Sequence, residues 1–261
     1  MKTHFIAKSV TAALAVALSA PMAFAGNLDG TYLRIKQASD SGDLDALEQV
    51  VRELDASADK SSEALLAASV ADYRIAGAGQ RDPEKLQKRI DAAIGRAESR
   101  LAPWANGDDA MTTQTRAEGL ALLASTWGLH ISMHPMQGPF LGSKASDALR
   151  QAQALAPEDA RVQLASGMQL MFLPPLFGGD RTQALHAFER VATLIPKSDA
   201  SATNWGLDDA WIWRGIALQS LQRPGEAKSA FQTALDIDPA NGFAQSMLGA
   251  GQHVAAAATK N

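Results

Sequence analysis

From Leu44 onward, apolar residues recur along the chain at helical spacing. Leu44, Leu47, Val50, Val51 and Leu54 form one stripe after a Ser41-Gly42-Asp43 turn, and Leu66, Val70, Tyr73 and Gly77 continue the pattern. Leu86, Ile90, Ala93, Ile94, Ala97 and Leu101 make a longer stripe, with Lys85, Lys88, Arg89, Arg96 and Arg100 among its polar positions. Asp82 followed by Pro83 marks a helix start, since the aspartate is placed to cap free amides and the proline sits where no donor is needed. Asp180 with Gln183 three residues on has capping-box spacing after Gly178-Gly179. No sustained period-two run rich in β-branched residues occurs, and neither Asn106-Gly107 nor Asn241-Gly242 is flanked by one. The pattern predicts a nearly all-α fold.

The second half of the chain resembles itself. A shift of 39 residues superposes Gly128 on Gly167, Pro135 on Pro174, Ala145 on Ala184, Leu149 on Phe188 and Pro157 on Pro196. A third copy ends in Ala227, Phe231, Ala234 and Pro239, spaced like Ala184, Phe188, Val191 and Pro196, with Gly215 as its helix-packing glycine.

On these residues the chain resembles the tetratricopeptide repeat family. Trp211, Gly215, Leu218, Ala227, Phe231, Ala234 and Pro239 match that family's aromatic, glycine, large-apolar, alanine, aromatic, alanine, proline framework, and Arg214 departs from it where leucine is usual. The small residues let two helices approach, the large ones fill the groove between them, and proline ends the second helix. The match is closest over 205–239, weaker over 158–196 and 115–157, and before residue 105 only hairpin patterning remains. The resemblance implies a right-handed α-solenoid of about five hairpins, with degenerate hairpins over 26–110, clearer repeats over 111–261 and a capping helix from about 241 to 258. The turn from Pro174-Pro175 to Gly178-Gly179 is also similar to one in soluble accessory subunits of some tripartite transporters.

The two middle repeats depart from the family's length. Gly215 to Ala227 spans 12 residues, whereas Gly128 to Ala145 and Gly167 to Ala184 each span 17, which adds five residues at each turn. The added stretches, 134–141 and 173–178, are apolar where hairpin turns are usually polar. Two readings stand: Phe140, Leu141, Leu176 and Phe177 fold back as lids on the core, or they form an exposed apolar patch that meets a partner.

The N-terminus changes the expected address. Lys2 and Lys8 precede an apolar run from Val10 to Ala20, then Pro21 and the triplet Ala23-Phe24-Ala25, the pattern of a secretory signal peptide over residues 1–25 cleaved before Gly26. The run is about half the roughly 20 residues a spanning helix needs. Gly26 stands where a lipoprotein would need cysteine, so the expected mature protein is soluble and periplasmic, without stable membrane insertion. Without the leader's two lysines, 22 basic face 28 acidic side chains, which gives no basic footprint for nucleic acid. The absence of cysteine excludes a disulfide scaffold and suits an oxidising compartment.

Candidate chemistry is sparse. His130 and His134 are four apart, with Met133 and Met136 nearby, a set that copper or zinc accepts, but no third ligand lies close in sequence. Ser57 and Lys60 have the spacing of a nucleophile with its base, yet the Ser-Asp-Asn and Lys-Thr-Gly motifs that accompany such a pair are missing. There is no HExxH, nucleophile elbow, phosphate loop or dinucleotide fingerprint. No catalytic residue, metal or cofactor is therefore expected.

What remains is the concave groove of a repeat array. The resemblance assigns its lining to the residues six and three before each packing glycine and one and four after it. From Gly167 these are Arg161, Leu164, Met168 and Met171; from Gly215, Asp209, Ile212, Ile216 and Gln219; from Gly128, Leu122, Ser125, Leu129 and Ser132. The first eight are the expected partner-binding residues, with Trp205 and Trp213 either rimming the groove or packing. The expected function is a non-catalytic periplasmic scaffold or adaptor holding a protein or peptide. The alternative is a small-ligand or metal-binding accessory protein of an envelope transport system.

Overall fold

The computed structural model describes residues 28–79, 82–107, 111–195 and 207–249. The signal-peptide segment, Trp205 and the end of the expected capping helix lie outside the described residues. The chain runs through α1 (Leu28–Ser41), α2 (Leu44–Ala56), α3 (Ser62–Gly79), α4 (Pro83–Leu101), α5 (Thr113–Met133), α6 (Gly138–Leu155), α7 (Ala160–Phe172), α8 (Arg181–Leu194), α9 (Leu207–Ser220) and α10 (Pro224–Ile237). Residues 242–249 form one more helical segment, and no strand occurs among the described residues. The fold is an all-α solenoid.

Short connections force neighbouring helices to pack antiparallel, so the chain reads as the hairpins α1/α2, α3/α4, α5/α6, α7/α8 and α9/α10. The first helices also pack on one another, α1 on α3, α3 on α5, α5 on α7 and α7 on α9, and make the inner layer. One apolar core runs from α1 into α7, and a second starts on the other side of α7 at Leu164 and continues to the C-terminal segment. Most helix starts are written in the local sequence. The side chains of Asp43, Thr112, Asp159 and Asp180 accept from backbone amides of the first turns that follow them. At Asp180 the reciprocal half of the box is not made: Gln183 Nε2 donates to Asp180 Oδ2 at 3.2 Å, and Asp180 N donates to Leu170 O at 2.9 Å. Asp82 departs from expectation: its side chain makes no capping hydrogen bond and instead pairs with Lys85 at 3.0 Å. The α6 and α10 helices end two residues before Pro157 and Pro239, which cannot continue them.

The expected packing glycines divide. A Cβ on Gly167 would stand 2.5 Å from the Phe188 ring, and one on Gly215 2.4 Å from Phe231, so both helix pairs close only because that carbon is missing. Gly128 is different, with nothing within 4 Å of its Cβ position. Leu149 occupies the place of Phe188 in that hairpin and has no ring to reach the glycine, whose open side lines a cavity. Arg214 is accommodated outside the core, its guanidinium 5.0 Å over the Trp211 ring and 3.3 Å from Glu189.

The N-terminal hairpins carry a polar tie that hydrophobic patterning does not reveal. Asp72 in α3 is fully buried and accepts from Arg96 Nε at 3.0 Å and Arg100 Nη1 at 2.6 Å, and Arg100 reaches on to Asp55 at 2.8 Å. Burial pushes the Asp72 carboxyl up, against the two guanidinium groups that favour its charge.

Because Phe231 is fully buried, Gly215→Ala is expected to cost about 1–3 kcal/mol by overpacking, as is Ala227→Leu in the facing helix. Gly128→Ala should be neutral or stabilise by up to about 1 kcal/mol, because alanine is the better helix former and meets no neighbour. Denaturant melts of the mature protein check the contrast, and equal effects at the two glycines would contradict it.

Candidate functional site

The inner layer encloses a cavity of about 790 Å³. Its wall comes from α1, α3, α5, α7 and α9, with Gly142, Ala145 and Leu149 of α6 and residues near the C-terminal segment completing it. The position along each helix sets the character of the wall. The first turns of α5, α7 and α9 contribute Glu118, Arg161, Asp208 and Asp209, joined by Tyr32, Lys36 and Asp40 of α1 and Arg74 of α3. The middle turns bring apolar groups, including Val70, Leu122, Leu164, Met168 and Ile212. The last turns of α5 and α7 contribute Ile131, Ser132 and Phe172, beside Leu173 and Pro174. With 1.5 Å of rise per residue, Glu118 to Ser132 spans about 21 Å, so one end of the cavity is charged and the other apolar.

At the charged end a latch of ion pairs joins the first helix to the last hairpin. Lys36 Nζ donates to Asp40 at 2.8 Å and Asp208 at 3.3 Å, and it also pairs with Asp238 just after α10. Asn241 Nδ2 donates to Asp208 at 3.0 Å, and its Oδ1 accepts from Ala244 N at 2.9 Å, capping the last helical segment. Asp40, Asp208 and Asp238 stand as metal ligands would, within 4.8 Å of one another, but the Lys36 ammonium sits among them in the place a cation would take. Nearby, Arg74 grips Asp209 with both terminal nitrogens, one at 3.1 Å. Arg161 pairs with Glu118 at 3.1 Å.

These pairs set the protonation states. Burial opposes charge on Lys36, but Asp208, Asp238 and Asp40 override it and hold the ammonium well above the usual lysine range. Burial also opposes charge on Asp209 and Asp238, where Arg74 and Lys36 respectively prevail and keep the carboxyls low. Asp40 goes the other way: burial, with the Asp238 carboxylate beside it, pushes its pKa up to about 7 despite Lys36.

Of the eight residues expected to bind a partner, Arg161, Leu164, Met168, Asp209 and Ile212 line the cavity. Met171 and Ile216 instead pack against the C-terminal core, and Gln219 lies outside the wall. Leu122, Ser125, Leu129 and Ser132 of α5 all face the cavity, as does Trp213, which meets Phe172 edge-on with ring centres 5.5 Å apart. The wall from α1 and α3, including Tyr32, Lys36, Tyr73 and Arg74, was not among the expected residues. Only the helical stripe through Val70 and Tyr73 hinted at it, and core packing reads the same way.

The apolar turns are not lids. Pro135–Gln137 and Pro175–Phe177 form 3₁₀ turns, and Met136, Phe140, Leu176 and Phe177 are exposed, Leu176 to 88%. Of the four expected lids only Leu141 packs on the core. A three-residue 3₁₀ turn is too short to swing its side chains back over the hairpin, and Gly178 then leaves it with a left-handed φ of 92°.

The other candidates resolve into structural roles. His130 Nδ1 lies 2.7 Å from Glu98 and His134 Nε2 2.8 Å from Asp91, so both histidines face carboxylates of α4. Ser57 Oγ accepts from Asp59 N at 3.1 Å while Lys60 Nζ donates to Asp55 O at 2.7 Å, so the two are engaged separately.

The raised Asp40 makes the latch sensitive to pH. Between about pH 4 and 7 folded Asp40 holds a proton that the unfolded chain has released, so stability should fall as pH rises through that window. Asp40→Asn cannot ionise and should flatten this part of the profile. Thermal melts from pH 5 to 8 test it, and a variant that loses stability as steeply as the parent would refute the assignment.

The tetratricopeptide repeat pattern matches residues 208–241, the α9/α10 hairpin. The HusA haemophore from Porphyromonas gingivalis shares the fold with a TM-score of 0.51 and 17% identity, over 75% of this chain and 94% of that one. YrrB, a TPR protein with an unusual peptide-binding site, aligns with a TM-score of 0.37 and 18% identity, over 83% of this chain and 89% of that one. No curated protein matches the sequence. Residues 208–241 therefore carry a tetratricopeptide repeat, and the helices before them follow the same hairpin plan.

Proposed function

We propose that this chain is an exported, non-catalytic binding protein of the periplasm, and that its concave cavity is the partner site. A single observation carries the reading: the inner helices line a partly open cavity of about 790 Å³, within the range of specific binding pockets, walled by apolar side chains and a few convergent polar ones. A scaffold of this kind takes a protein or peptide partner by inserting a short apolar segment between Leu122, Leu164, Met168 and Ile212. Methionine suits such a contact because its thioether adapts to what it meets. No helix among the described residues is long and apolar enough to cross a membrane. The Ala23-Phe24-Ala25 triplet supports export.

The second reading, a small-ligand accessory protein, is favoured by the closure of the cavity at its charged end. Where Lys36 and Arg74 bind the last hairpin to the first two, the space is a pocket and not an open trough. The structurally similar HusA is named as a haemophore, which is consistent with a fold of this kind holding a small molecule.

Met168→Glu places a charge in the apolar middle of the cavity and should abolish crosslinking of the partner in the native envelope, while Lys88→Glu on an exposed face leaves it intact. Leu164→Glu should act likewise, but Leu164 also belongs to the second core, so circular dichroism must show that each variant still folds. A helical, normally melting Met168→Glu that captures everything the parent captures would move the site elsewhere. N-terminal sequencing of the exported form should begin at Gly26, and a chain that retains Met1 would defeat the export reading.

A further inference from the structure

The charged end of the cavity looks ready for an anion, since Lys36, Arg74 and Arg161 all reach its wall. Their partners leave no room for one. Lys36 is shared among three carboxylates, Arg74 is held by both oxygens of Asp209, and Arg161 is engaged by Glu118. On the wall itself four acids, Asp40, Glu118, Asp208 and Asp209, face these three cations. An acidic ligand would have to break one of these ion pairs and strand a buried carboxylate, a penalty larger than the new ion pair would return. A cationic ligand would have to compete with Lys36, Arg74 and Arg161, which already hold these carboxylates.

One polar group on the wall is left with poor company. Tyr73 is half-buried on the cavity wall, and its hydroxyl reaches Met168 Sδ at 4.0 Å. A thioether is a weak acceptor, so this hydroxyl can turn to a better one that enters the cavity. Burial pushes the Tyr73 pKa up to about 12, so the group stays a donor across the physiological range. It sits between the paired charges and the apolar end formed by Phe172, Leu173 and Pro174, where an incoming molecule's polar tip would come to rest.

We propose that the cavity binds a compact uncharged small molecule with an apolar body and one hydrogen-bond-accepting tip, the body against Leu164, Met168 and Ile212 and the tip accepting from Tyr73 Oη. The inference rests on the small-ligand reading of the same site. The apolar end, continuing into the exposed Phe172, is the entrance, because ion pairs tie the first helix to the last hairpin across the charged end.

The matched fluorophores N-phenyl-1-naphthylamine, which is uncharged, and 8-anilinonaphthalene-1-sulfonate, the same ring system bearing a sulfonate, test the charge rule directly on the mature protein. The uncharged probe should bind saturably and at least about tenfold more tightly, a gap matching the penalty for disturbing a paired buried charge. Prodan, an uncharged naphthalene ketone, tests the tip. Tyr73→Phe should weaken it about three- to tenfold, the worth of one neutral hydrogen bond, and shift its emission to the blue as its carbonyl loses a donor. Met168→Glu should abolish binding of both uncharged probes, while Lys88→Glu on the exposed face of α4 leaves it unchanged. Equal or tighter binding of the sulfonate, or prodan emission indifferent to Tyr73→Phe, would overturn the proposal. So would uncharged probes that bind Met168→Glu as well as the parent. If the probes fail while partner crosslinking still depends on Met168, the ligand class is wrong and the binding-protein reading stands.

Discussion

A row of helix hairpins has two ends, and here they are held together by ion pairs. Lys36 in the first helix meets Asp208 and Asp238, some two hundred residues on, and Arg74 in the second hairpin meets Asp209 beside them. Without these contacts the inner layer would be an open concave strip like that of any repeat array. With them it encloses a cavity. Desolvation makes such pairs expensive to assemble and more expensive to break singly, so each acts less as added stability than as a constraint on which ends can meet. Asp40 crowds the same ammonium as Asp238, and burial with that carboxylate beside it pushes the Asp40 pKa up to about 7.

The apolar framework explains why the ends can meet at all. α7 belongs to both cores, giving Val162 and Ala165 to the first and Leu164 to the second, so the two halves share a helix with no linker between them. Gly167 and Gly215 let their hairpins close tightly on Phe188 and Phe231, while Gly128 leaves space where α5 faces inward. One residue type therefore does opposite things at equivalent repeat positions, and what decides is whether the partner position carries a ring.

Helical class, hairpin order and much of the inner lining were legible in the sequence because they follow from local spacing. The repeat resemblance, counted from each packing glycine, puts Leu122, Ser125, Leu164, Met168 and Ile212 on the inner lining, where they stand. It fails at Met171 and Ile216, because near a repeat's end the packing of the next hairpin, and not the helical phase, decides what is covered. Lys36 with Asp208 and Tyr73 with Met168 could not be read at all, since such pairs are fixed by the curvature of the whole array and nothing in either local sequence announces the other. The lids failed for a different reason. Apolar composition suggested burial for Phe140, Leu176 and Phe177, but five inserted residues make a turn too tight to return to the core.

Those turns then raise a question of economy. Exposed Met136, Phe140, Phe172, Leu176 and Phe177 all come from the two hairpins with lengthened turns, and α9/α10, with the shorter turn, shows none of the kind at its own. A contiguous apolar exposure is a solubility liability unless it is used. Phe172 bridges the two environments, being largely exposed and also part of the cavity wall, edge-on to Trp213. Of the inserted residues, Leu173 and Pro174 join Phe172 on the wall, so the α7/α8 turn begins where the apolar end of the cavity reaches the surface. A molecule poorly soluble in water would meet Phe172, Leu173 and Pro174 before Met168 and Tyr73, while the ion-paired latch stands at the opposite end of the wall.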